Sequence, residues 1–251
     1  MKKKFISTFI IALSITTGFA QDTMYVRQKV GGWLKLPISN IDSVGFKMQN
    51  TFPLTDIDGN TYTSVTIGTQ TWMAQNLNTT RFNDGTSITV SGTLTSGISQ
   101  LPMMCWYNND KATYSVNKYG ALYNWHAVNS GKLCPKGWHV PSSSEWTTLV
   151  KFLGDSTLSG GYLKEAGFSN WNSPNTGANN SSGFTALPGG YNTAGTLGGF
   201  SSKGSIGRWW SSTLTTINSS ASIRYLQSND SRFLKTNISL ADGLSVRCLR
   251  D

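Results

Sequence analysis

The chain has 251 residues, 21 basic against 12 acidic, and only two glutamates, Glu145 and Glu165. Its net charge of +9 reflects scarce acids; beyond residue 20 no two Lys or Arg are adjacent, which argues against the clustered basic face of a nucleic-acid binder. The only histidines, His126 and His139, are too isolated for a zinc site, which wants three or four compactly spaced ligands.

In chain order, residues 1–20 read as a secretory signal peptide. Lys2, Lys3 and Lys4 open it, Phe5 to Ile15 is a short apolar run, and Gly18-Phe19-Ala20 supplies small residues for cleavage. The run is short for a membrane span, and no cysteine follows for a lipid anchor. Cleavage leaves 18 basic residues against 12 acidic, a net charge of +6. The expected address is across the inner membrane, in the periplasm, on the outer surface or outside the cell. Residues 21–55 read as a small N-terminal β unit and linker. Met24 to Val26 and Trp33 to Leu36 flank Gly31-Gly32 as a hairpin, and Ile38 to Phe46 adds a turn and strand.

Residues 56–251 form the main domain. It opens on Asp56-Ile57-Asp58-Gly59-Asn60, a turn by its Asp-Gly chemistry; the remaining ligands of an EF-hand calcium loop are missing. Thr61 to Ile67 and Gln70 to Met73 read as strands joined at Gly68-Thr69. Residues 83–100 form a polar loop or edge ribbon, and Cys105-Trp106-Tyr107 an aromatic strand. Tyr119 to Val128 fits a short helix or a strand equally. After Pro141, Ser142 and Glu145 make a capping box, and Trp146, Leu149, Val150 and Leu153 recur at helical spacing up to Gly154. A second short helix covers Tyr162 to Ala166. Residues 168–205 are the longest irregular stretch, where function often resides. Strands follow near Arg208 to Ser212, Ile223 to Gln227 and Gly243 to Leu249.

Several segments together resemble the Fibrobacter succinogenes major paralogous domain family. They include Asp58-Gly59-Asn60-Thr61-Tyr62, Ile67 to Leu77, Tyr119 to Trp125, and Leu133-Cys134-Pro135-Lys136-Gly137-Trp138-His139-Val140-Pro141. Ser182 to Tyr191, Trp210-Ser211-Ser212-Thr213 and Ser245-Val246-Arg247-Cys248 complete the series. More distantly, Val140 to Trp146, Gly189-Gly190-Tyr191 and Ser245-Val246-Arg247 are similar to the C-type-lectin-like fold of formylglycine-generating enzymes. That resemblance implies an α+β, loop-rich domain with two short helices and a small antiparallel sheet. It also implies a disulfide between Cys134 and Cys248, with Cys105 free; Cys105 with Cys134 is the rival pairing.

The family resemblance carries no particular activity. Formylglycine-generating enzymes hold copper on two neighbouring cysteines, and no two cysteines here are close in sequence. No strand-flanked Gly-x-Ser-x-Gly nucleophile turn occurs, and the calcium-binding tripeptides of sugar-binding lectins are missing. The expectation is a secreted, non-catalytic recognition or cell-surface module without cofactor or metal, whose partner is a glycan, a polysaccharide or a surface protein. A divergent enzyme and a purely structural envelope component are the alternatives. Trp72, Trp125, Trp138, Trp146 and Trp210 are expected in the core. Trp171, Tyr191 and Trp209, beside the irregular stretch, are the candidates for an exposed ligand platform, with Arg208, Arg224 and Asn229 as polar partners.

Overall fold

The computed structural model describes residues 23–27, 33–37, 54–92, 94, 100–116, 119–154, 157–195, 199–215 and 219–251. The signal-peptide segment and the proposed strand within Ile38 to Phe46 lie outside these residues. The chain divides into two compact units, Met1–Asn50 and Thr51–Asp251. In the first, β1 (Thr23–Arg27) pairs antiparallel with β2 (Trp33–Pro37), as the Gly31-Gly32 signal predicts.

The second unit is α+β, but the expected single small sheet with two helices is corrected: the described residues form five separate sheets, of up to four strands, and four helices. The extra elements come from segments too short or too polar to show a period. Six of the described strands in this unit have only two residues, and most of them pair with partners far along the chain. The helix α1 (Lys111–Val116) is capped by Asp110, whose carboxylate accepts from Thr113 N at 3.0 Å. The ambiguous block Tyr119 to Val128 divides at Asn124 into β9 (Leu122–Tyr123) and α2 (Trp125–Val128), because the Asn124 side chain caps Ala127 N at 3.1 Å.

The largest sheet has the order β10 (Trp138–His139), β16 (Leu249–Arg250), β6 (Gln70–Met73), β5 (Ser64–Ile67). The last strand thus lies between the early hairpin and the strand that feeds α3 (Ser143–Phe152). Cys134 and Cys248 are joined, closing a separation of 114 residues, and Cys105 is free and buried. The helix α3 starts on the predicted capping box: Ser142 Oγ accepts from Glu145 N at 3.3 Å, and Glu145 Oε2 accepts from Ser142 N at 2.7 Å. The second helix, α4 (Ser159–Leu163), begins three residues earlier than its expected start at Tyr162.

Trp209 and Trp210 are adjacent and both fully buried. Successive residues of a strand face opposite ways, so their strand must be covered on both faces. That strand is β13 (Ile206–Leu214), central to the fold and paired with β14 (Ser220–Gln227), which pairs in turn with β15 (Leu234–Ser239), a strand the sequence pattern missed. Trp210 enters a core with Met73, Tyr123, Trp125, Val246 and Cys248. Trp209 enters another with Trp72, Trp146, Trp171, Phe184 and Phe233. Trp72 and Trp146 stack at 4.4 Å between ring centroids. Most buried indole N–H groups find acceptors, as burial demands: Trp146 on Trp210 O, Trp210 on Tyr123 O, and Trp209 on Asn76 Oδ1. Of the tryptophans expected in the core, Trp138 alone is only half-buried.

Candidate functional site

The residues expected to form an exposed platform do not converge. Trp209 is buried, and Trp171 is only 1% exposed; both are corrections. A large indole gains more from burial than a surface loop returns. Arg224 is also buried, its guanidinium donating to Thr147 Oγ1 at 2.9 Å and lying 5.7 Å from the Phe233 ring. Tyr191 and Arg208 do meet, the guanidinium lying 3.6 Å from the ring centroid. Asn229 is exposed in the turn between β14 and β15.

Trp171 nevertheless positions a site. The chain after α4 is extended at Lys164 (φ −65°, ψ 141°), so Lys164 and Glu165 face opposite sides. Lys164 points inward: its ammonium donates to the carbonyls of Thr176, Gln227 and Asp230 at 2.9–3.1 Å and lies 5.4 Å from the Trp171 ring. Burial lowers its pKa to about 8, so it stays charged at neutral pH, with three N–H donors for three acceptors. Trp171 also points inward, its indole N–H on Ala186 O at 2.9 Å. This buried pair leaves Glu165 and Asn170 together on the outside. Asn170 Nδ2 donates to both Glu165 carboxylate oxygens at 2.9–3.0 Å, while its Oδ1 accepts from Tyr119 Oη at 2.8 Å.

Asn170 is shared by two adjoining hollows. One, of about 410 Å³, is lined by residues that include Thr63, Gln75, Glu165, Gly183 and Thr185. The other, of about 520 Å³, is lined by Tyr119, Ser169, Asn170, Asn172, Lys203 and Gly204. Volumes of about 300–1,000 Å³ are usual for small-ligand sites, but those are mostly apolar. This cleft is mixed: amides, hydroxyls, one carboxylate and one ammonium stand together with the apolar side chains of Val65, Ala74 and Leu187 in the first hollow. The amides are already oriented. Gln75 exchanges two bonds with Thr63, at 2.7 and 2.8 Å, and Asn172 donates to Ser205 Oγ at 3.0 Å. Gly204 keeps the second hollow open: its φ of +81° suits glycine, and a Cβ there would lie 2.8 Å from Asn172 Oδ1.

Behind the first hollow lies Arg247, fully buried. It donates to Asn76 Oδ1 and to the carbonyls of Phe184 and Thr185, and it stacks 4.2 Å from the Phe184 ring centroid. All these acceptors are neutral. Burial lowers its pKa to about 9, leaving a charged guanidinium beneath the cleft floor.

Elsewhere, the carboxylates of the opening turn and the His139 imidazole are occupied by structural bonds. Asp56 accepts from Asp58 N, Asn60 N, Asn60 Nδ2 and Tyr62 Oη. Asp58 accepts from Thr79, Thr80 and Arg81. Burial works to raise the Asp58 pKa, but these bonds outweigh it and lower it to about 2. This is a bonded turn, as read from Asp-Gly, with its oxygens facing protein donors. His139 Nδ1 lies 2.7 Å from Asp251 Oδ1, and its Nε2 lies 3.0 Å from Glu145 Oε1. Neither nitrogen is directed at a serine. His126 is packed against Trp125, and burial lowers its pKa. Among the described residues no group of three His, Cys, Asp or Glu side chains is placed to hold a metal ion.

Sequence reasoning reached the irregular stretch but not Glu165, Asn170 and Lys203 within or beside it. One signal was present: of two glutamates, Glu145 is accounted for by the capping box, which leaves Glu165. Residues 65–250 match a family model described as Fibrobacter succinogenes major domain. No curated protein and no solved structure matches the chain. Among the described residues no helix is long and apolar enough to cross a membrane.

Proposed function

We propose that this chain, which belongs to the Fibrobacter succinogenes major domain family, is an exported, non-catalytic module that binds a glycan in the cleft around Asn170. The observation that carries this reading is the fixed Tyr119–Asn170–Glu165 relay in a cleft whose lining mixes amides, hydroxyls and the Lys203 ammonium with a small apolar patch of Val65, Ala74 and Leu187. A carboxylate has about four lone-pair positions and an amide two donors and two lone pairs, so bonding sites remain open on both. Sugar hydroxyls, which donate and accept, complement such a surface. Among the described residues that line the cleft there is no histidine or cysteine, and Glu165 is bonded to an amide rather than to a nucleophile. Export rests on the sequence of residues 1–20, and the disulfide suits an oxidising compartment.

The test is a polysaccharide and glycan binding screen of residues 21–251, with and without calcium, repeated on Glu165→Gln and Asn170→Ala. The reading expects calcium-independent binding to at least one glycan, lost in both variants while each keeps the wild-type fold by circular dichroism. Binding that survives both substitutions would refute it.

A further inference from the structure

The two halves of the cleft differ in charge. Glu165 belongs to the first hollow, Lys203 to the second. Lys203 is exposed, and its ammonium is held over two tyrosine faces, 5.0 Å from the Tyr114 centroid and 5.4 Å from that of Tyr119. Tyrosine rings attract a cation without neutralising it. Among the described residues, no carboxylate lies within ion-pair distance of Lys203; Asp110 senses its charge but bonds to Thr113 instead. The same hollow is lined by Ser169 and Asn172, side chains able to donate to an anion.

Building on the glycan reading, we propose that the cleft selects acidic polysaccharides. A sugar carboxylate meets Lys203, and the hydroxyls of the neighbouring ring meet Glu165 and Asn170. One ammonium matches one carboxylate in charge, and the Ser169 and Asn172 side chains supply further donors. Glu165 repels a carboxylate from the first hollow, so the neighbouring ring presents its hydroxyl edge there with its own acid group turned toward solvent. The buried Arg247 cation and the basic excess of the chain favour the approach of an anionic polymer.

The experiment compares an oligogalacturonate with its carboxyl-reduced counterpart by titration calorimetry. The two have the same linkages and differ only in the acid groups. The wild-type chain, Lys203→Gln and Lys203→Arg are measured at low and moderate salt. An exposed ion pair is worth up to about 1 kcal/mol, or about fivefold in affinity. The expected result is acid-form binding up to about fivefold tighter than reduced-form binding, with a loss of similar size in Lys203→Gln that is confined to the acid form. Lys203→Arg should retain the preference. Equal affinity for the two forms, or a Lys203→Gln variant that keeps the preference, overturns the selectivity while leaving glycan binding intact. Binding of neither form, with other glycans bound in the screen, also overturns it; no glycan bound at all defeats the underlying reading. Dextran sulfate binding as tight as the oligogalacturonate at equal charge, and indifferent to Lys203→Gln, would assign the effect to bulk charge and overturn the proposal.

Discussion

The two glutamates of this chain serve opposite purposes. Glu145 lies in a clamp with Ser142, His139 and Asp251, close in sequence to the Cys134 bridge, and its carboxylate accepts from the Ser142 amide and hydroxyl and faces the His139 ring. Glu165 accepts only from Asn170 among the described side chains, and the rest of its carboxylate faces a cleft. In the clamp, polar groups answer one another and hold the last strand against the start of α3. In the cleft, polar groups are oriented by partners behind them and keep bonding sites directed outward. Occupied valences mark structure, and oriented but open ones mark a place for a ligand.

Breaking the clamp should cost stability and leave the cleft chemically intact. Cys134→Ser opens a loop whose ends lie 114 residues apart; chain entropy alone predicts a loss of about 4–5 kcal/mol, measured by urea unfolding against the wild type. Trp171 tests the other region from behind. If its indole anchors Asn170 from the core, Trp171→Ala loses about 3–5 kcal/mol of stability, together with glycan binding. A solvent-facing tryptophan would lose binding and little stability, so the two readings separate in one denaturation curve.

The smallest expected effect is pH-dependent. Burial works to lower the His139 pKa, but hydrogen bonds to Asp251 and Glu145 outweigh it, so the folded value lies above the ordinary 6.5. A raised folded pKa means the folded state holds the proton more tightly. The contribution is therefore complete below pH 6.5 and is lost as pH rises through the folded value. On the acid side Glu145 stays ionised below its ordinary 4.5, because its bonds to Ser142 and His139 outweigh the effect of burial. The stability difference between the wild type and His139→Gln should be largest near pH 5–6 and shrink toward pH 9, as read by thermal unfolding across a buffer series. A difference that grows with pH would contradict the clamp.

The clamp was more legible in the sequence than the cleft. The capping box is a local signal, since Ser142 and Glu145 sit one helical turn apart and satisfy each other. The Cys134–Cys248 pairing followed from family likeness, whereas the burial of both Trp209 and Trp210, which needs a strand covered on both faces, runs against the exposed platform expected for Trp209. The strand β15 and the two-residue strands show no period, because they are specified by partners far along the chain. Gln75, Tyr119, Glu165 and Lys203 come from separate segments and meet only after the inward turn of Lys164 and Trp171 is known. Trp171 was misread for that reason: its loop looks polar, while its side chain is the apolar anchor that leaves Asn170 outside.

Side-chain amide NMR during titration with the tightest-binding glycan tests the central claim most directly. The account predicts that the largest shift changes fall on Asn170, Asn172 and Gln75, with the Tyr191–Arg208 pair and the His139 clamp unmoved. Changes confined to Tyr191, Arg208 and Asn229, with the Asn170 amide undisturbed, would place the ligand elsewhere and contradict it.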